Sequence, residues 1–175
     1  MAKGSRGKGR RDFIGQRGED IFRNHIAEFF GNGWPYFNPI FLGAKNEVFD
    51  FLVETVRFES HDPNISVHPY FFVQVKTTPL GYTHDRQNPR LKVRLSGAHI
   101  EKIKQFPAPT YLAGVDEPRK RSFLVAIDSR IKGPITSVST ISPLTDELVL
   151  KRLWVEVADH WLRNNARMTD STFNN

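Results

Sequence analysis

Residues 71 to 78 read FFVQVKTT. Side chains alternate across a strand, so Phe71, Val73, Val75 and Thr77 project one way and Phe72, Gln74, Lys76 and Thr78 the other. The first set is ordinary core. The second places an amide and an ammonium within an apolar run, where an unpaired charge is costly and needs a partner or a task.

The rest of the chain supplies candidate partners. Residues 47 to 58, EVFDFLVETVRF, alternate as a strand with Phe49, Phe51 and Val53 on one face and Val48, Asp50, Leu52 and Glu54 on the other. Asp50 is the polar exception. The polar, turn-rich loop from 59 to 69 joins this segment to the first, which predicts antiparallel neighbours. Upstream, residues 12 to 30 are predicted as a helix with an apolar stripe of Phe22, Ile26, Phe29 and Phe30, stopped by Gly31-Asn32-Gly33. Glu19 falls within about 60° of Phe22 and about 20° of Ile26 and Phe30 around that helix. A carboxylate therefore heads the inward face.

Side by side, the two strands bring Asp50, Gln74 and Lys76 to one face, with Glu19 arriving from the helix. This is a donor set for a hard divalent cation. Mg²⁺ takes a few oxygen ligands and keeps several waters, so Asp50, the Gln74 amide oxygen, the Val75 backbone carbonyl and Glu19 suffice. Lys76 is then placed to orient a water or to stabilise growing negative charge. The bland alternative is an Asp50–Lys76 ion pair that holds the hairpin register.

The remaining segments predict YFNPIFL (36 to 42) as an edge strand interrupted by Pro39, LKVRL as a strand after the loop at 81 to 90, and a helix capped by Ser96 that runs to about Phe106. TYLAGV and SFLVAID form a hairpin. A C-terminal packing helix carries Leu150, Leu153, Trp154, Val157 and Trp161. The expected organisation is a basic arm at 1–11, one domain at 12–166 and a frayed tail at 167–175.

Charge and composition bound the function classes. Five cations, Lys3, Arg6, Lys8, Arg10 and Arg11, precede residue 12; the other 20 of the 25 Lys and Arg balance 19 Asp and Glu. A nucleic-acid footprint on the body must therefore come from local clustering, and Arg10, Arg11, Arg17 and Lys45 are the candidates nearest the site in sequence. There is no Cys, which excludes disulfides and thiolate metal sites. No apolar run reaches bilayer length, so a cytoplasmic protein without membrane contact is expected. The six His show no zinc-binding spacing and read as surface or loop residues.

A helix Glu, a hairpin-strand Asp and a following Gln-x-Lys together resemble the PD-(D/E)XK nuclease superfamily, in the Mrr-type variant that carries Gln for the second acid. GQRGEDIF, VFDFLVE and FFVQVKTT are also similar to a prokaryotic domain family of that superfamily found near mobile-element and defence genes. The likeness spans about residues 12 to 128. It implies an α/β, restriction-endonuclease-like fold, a central mixed β-sheet flanked by helices. It further implies Mg²⁺- or Mn²⁺-dependent hydrolysis of DNA by Glu19, Asp50, Gln74 and Lys76, with a homodimer as the form in which many such nucleases cut both strands. The alternative is an inactive module on the same fold that binds nucleic acid or a protein.

Overall fold

The computed structural model describes residues 5–30, 33–43, 46–56, 68–83 and 87–163, with side chains from Asp12 onward. Helix α1 (Ser5–Ile26) leads to strands β1 (Phe37–Phe41), β2 (Phe51–Thr55), β3 (Tyr70–Thr78) and β4 (Arg90–Leu95). Then follow α2 (Gly97–Ile103), β5 (Thr110–Asp116), β6 (Arg121–Ala126), β7 (Ile135–Ser139) and α3 (Glu147–Arg163). Five strands form a mixed sheet in the order β1-β2-β3-β5-β6; β4 and β7 form a second, two-stranded sheet. Only β3 and β5 run parallel in the larger sheet. Parallel neighbours need a crossover, and here it carries β4 and α2.

Alternation along β3 divides the core. Phe71, Val73 and Val75 meet Phe22 and Ile26 of α1 and Leu150, Leu153, Val157 and Trp161 of α3. On the opposite face Phe72 meets the cluster built from Leu91, Val93 and Leu95 of β4, Ile100 and Ile103 of α2, and Val138 of β7. The mixed sheet is thus flanked by α1 and α3 on one side and by α2 with the small sheet on the other. Buried rings knit the first layer: Phe22 lies 5.0 Å from Phe51, Phe37 5.3 Å from Phe71, and Phe71 5.2 Å from Tyr111. Each such side chain contributes roughly 1.5–3 kcal/mol by burial. Indole donors hold α3 to the sheet, Trp161 to the Tyr70 carbonyl at 2.7 Å and Trp154 to that of Val56 at 3.2 Å.

Two glycines permit close layers. A Cβ on Gly18 would lie 1.8 Å from Thr77 Oγ1 and 2.7 Å from Thr77 Cβ, so α1 sits directly on β3. Gly114 lets Leu91 and Val138 approach β5, where a Cβ would meet them at 3.2 and 3.3 Å. Both sheet edges are blunted. β1, at one edge, contains Pro39. β6, at the other, is covered by residues 142–144, with Leu124 N–H donating to Ser142 O and Leu144 N–H to Ser122 O.

Several expectations need correction. The first helix starts at Ser5 and not at residue 12, and it stops at Ile26. Phe29, expected on its buried stripe, is 65% exposed and pairs as a bridge with Pro35. The strand expected over 47–58 begins only at Phe51. The Asn46 side chain explains the delay, because Oδ1 accepts from the N–H groups of Val48 and Phe49, each at 3.0 Å, and holds the chain in a turn. Phe49 therefore does not share a face with Phe51 and Val53. It stacks on Phe72 at 4.6 Å in the other cluster. The helix after Ser96 is capped as expected, with Ser96 Oγ accepting from His99 N–H, but it ends at Ile103. Strand β7 is not evident from periodicity. The loop at 59–67 and the tail beyond Arg163 lie outside the described residues.

Candidate functional site

The site forms where β2 and β3 part. Their pairing ends at Phe51↔Val73, while β3 continues to Thr78. Asp50, just ahead of β2, makes the last backbone contact, its N–H donating to Val73 O at 3.0 Å. Beyond that point one edge of β3 has no strand partner among the described residues. The N–H and C=O of one residue point to the same strand edge, so Val75 presents both groups to Asp50. The carboxylate answers the first: Asp50 Oδ2 accepts from Val75 N–H at 2.6 Å.

Gln74 completes the arrangement. It is 4% exposed, and its Nε2 donates both to Asp50 Oδ2 and to Val75 O, the latter at 3.2 Å. One amide nitrogen thus bonds to two of the oxygens expected to bind metal. An N–H donor placed between a carboxylate and a carbonyl fills electrostatically the role of a cation. The donor set suits a hard ion: a half turn of the amide would bring Oε1 to that point beside Asp50 Oδ2 and Val75 O.

Glu19 follows Gly18, the residue that lets α1 approach β3, and it is half-buried. Burial raises its pKa, repulsion from Asp50 and Asp20 raises it further, and Arg23 and Lys76 oppose the shift. The pKa of Asp50 is also raised, chiefly by burial, against the lowering effects of the Val75 N–H, Lys76, His99 and Gln74. The Asp50 charge thus disfavours ionisation of Glu19, and two acids so close create a demand for positive charge.

Lys76 is half-buried and favours the charged forms of both acids, yet among the described residues it makes no ion pair. The alternative reading, an Asp50–Lys76 ion pair, is therefore not what holds the register. The Val75 N–H and the Gln74 amide hold Asp50 instead. The structure thus brings Glu19, Asp50, Gln74, Val75 and Lys76 into one neighbourhood. No group of three or more His, Cys, Asp or Glu side chains suited to a metal converges among the described residues.

The proposed nucleic-acid residues fare differently. Arg17 reaches the β5–β6 turn, paired with Glu117 at 2.9 Å. The side chains of Arg10 and Arg11 and all of Lys45 lie outside the described residues.

His99 is a site neighbour that the motif spacing does not mark. It is half-buried on α2, its Nε2 is 3.1 Å from Val48 O, and it favours the ionised form of Asp50. A signal exists: in a helix capped at Ser96, His99 stands four residues before the inward-facing Ile103. His25, expected at the surface, is also engaged, its Nδ1 lying 2.7 Å from the buried Ser122 Oγ and tying the end of α1 to β6.

The fold and site define an α/β protein with a mixed sheet and an acid–amide–lysine cluster at the point where two strands diverge. Comparison with protein-family models, with curated proteins and with solved structures finds no match for the chain. None of the helices among the described residues is long and apolar enough to cross a membrane.

Proposed function

We propose that this protein is a divalent-metal-dependent phosphodiester hydrolase acting on DNA, with a restriction-endonuclease-like core of the PD-(D/E)XK kind. One observation carries the reading: the buried Gln74 amide bridges Asp50 Oδ2 and Val75 O, marking a point where hard oxygen donors converge beside Glu19 and Lys76. Mg²⁺ or Mn²⁺ bound there would polarise a phosphoryl oxygen and acidify a bound water. Asp50 is kept in place by the Val75 N–H, which bonds to Oδ2. Gln74 supplies an oxygen once its amide turns. Glu19 adds the negative charge that Gln74 lacks. Lys76, next to both acids, would stabilise negative charge on the reacting phosphate.

The test is to incubate the purified protein and its Lys76→Ala variant with plasmid and linear DNA in Mg²⁺ or Mn²⁺. Cleavage by the wild type and its loss in the variant are expected; equal cleavage by both would trace the activity to a contaminant.

A second reading, an inactive module of the same fold that binds nucleic acid or a protein, draws on the absence of any three-acid or histidine cluster among the described residues. Calorimetric titration separates the two. A hydrolytic site binds Mg²⁺ and loses that binding in Asp50→Ala, whereas a degenerate one shows no such heat.

A further inference from the structure

We propose that the outward face of β4 is a track for the sugar–phosphate backbone, on which Lys92 and Arg94 hold two neighbouring phosphates beside the one at Lys76. The pattern begins in the sequence of β4. Leu91, Val93 and Leu95 are buried, which turns Arg90, Lys92 and Arg94 to the other face. Alternate residues of a strand stand about 6.8 Å apart, on the order of the separation of neighbouring phosphates along a nucleic-acid strand. Arg90 is already engaged, its guanidinium donating to Ser137 Oγ at 2.9 Å and to Ser137 O at 3.2 Å.

Lys92 and Arg94 open instead onto a groove of about 410 Å³ that they share with Lys76 and Thr78 of β3 and Thr136 of β7. Three cations line it and no carboxylate does. Several other arginines are matched, among them Arg17 with Glu117, Arg119 with Asp116 and Arg130 with Asp128. Lys92 and Arg94 make no ion pair among the described residues. On a body whose charge is nearly balanced, an unmatched row of cations in a concave surface concentrates positive potential at one place. Because Lys76 belongs to both the groove and the acid cluster, a strand lying along β4 would enter the site.

The direction of the track rests on the hydrolase reading; the affinity of the groove does not. The experiment compares wild type with Lys92→Ala/Arg94→Ala by fluorescence anisotropy. The probes are short labelled duplex DNA, single-stranded DNA and RNA of one sequence, in EDTA across a KCl series. The wild type should bind, and the tightest probe names the strand type. The variant should lose about tenfold or more in affinity at low salt and reduce the log–log salt slope by about 2, one for each phosphate contact removed. Its melting temperature and Mg²⁺ titration should stay unchanged. Lys92→Gln/Arg94→Gln, which keeps the aliphatic stems, repeats the comparison if the alanine variant folds poorly.

Failure of the wild type to bind any probe, an unaltered slope, or displacement of DNA by polyglutamate at equal charge would overturn the track. A variant that still cleaves with its salt slope intact overturns the track and leaves the hydrolase reading standing. Wild-type binding through Lys92 and Arg94 without Mg²⁺ binding or cleavage does the reverse.

Discussion

Replacing Gly18 with alanine should loosen the contact on which the site depends. The added Cβ would lie 1.8 Å from Thr77 Oγ1, 2.7 Å from Cγ2 and 2.7 Å from Cβ. Rotation about χ1 can move the first two atoms, but the Thr77 Cβ is fixed to the backbone of β3. Restoring an ordinary carbon–carbon contact of about 3.5 Å therefore requires α1 and β3 to separate by roughly 0.8 Å. Overpacking of this kind costs about 1–3 kcal/mol, and the upper end applies because backbone must move. Alanine recovers about 1 kcal/mol of helix propensity, leaving a net loss of about 2 kcal/mol. Gly15 is the internal control. It lies on the same helix, where an added methyl would meet nothing within 4 Å, so Gly15→Ala should stabilise by about 0.5–1 kcal/mol. Urea unfolding with an unchanged m-value reads both effects. The Gly18 variant should also bind Mg²⁺ more weakly, since Glu19 moves with the helix. A Gly18→Ala protein as stable as wild type, with Gly15→Ala behaving as expected, would refute the close-contact argument.

Other outcomes follow from the acids. The folded-state pKa values of Glu19 and Asp50 are raised, so in metal-free protein stability should fall as pH climbs from the ordinary carboxylate range through the raised values. Glu19→Gln should flatten that decline and, above it, stabilise by less than about 1 kcal/mol because the group is only half-buried; melting curves across pH with EDTA and with Mg²⁺ check this. Asp50→Ala strands the Val75 N–H and the Gln74 amide donors and should cost about 2–3 kcal/mol in urea unfolding, whereas Asp50→Asn, which keeps an acceptor, should cost less. Gln74→Glu should destabilise the metal-free protein through repulsion with Asp50 yet tighten Mg²⁺ binding by about tenfold in calorimetry.

Much of this arrangement is legible in the sequence because strand periodicity has a strict value of two. In FFVQVKTT the polar residues break the apolar face at alternate positions, so Gln74 and Lys76 stand out locally, and Asp50 stands out for the same reason. Other features depend on groups remote in sequence. Arg17 is drawn to Glu117, a hundred residues away, and only the folded chain reveals that pairing. Strand β7 has five residues, ITSVS, with two apolar side chains, and it is a strand because β4 lies beside it. The late start of β2 turns on a single Asn46 side chain that outcompetes the ladder for two N–H groups. Lys92 and Arg94 show an alternating pattern, but that they face Lys76 across a groove follows from how the small sheet is laid over β3.

The closed margins of the larger sheet restrict how molecules of this kind can associate. With a proline in β1 and residues 142–144 lying along β6, neither outer strand offers an uninterrupted ladder to a newcomer. Two copies could not fuse into one continuous ten-stranded sheet. Association along those two margins of the larger sheet is therefore disfavoured.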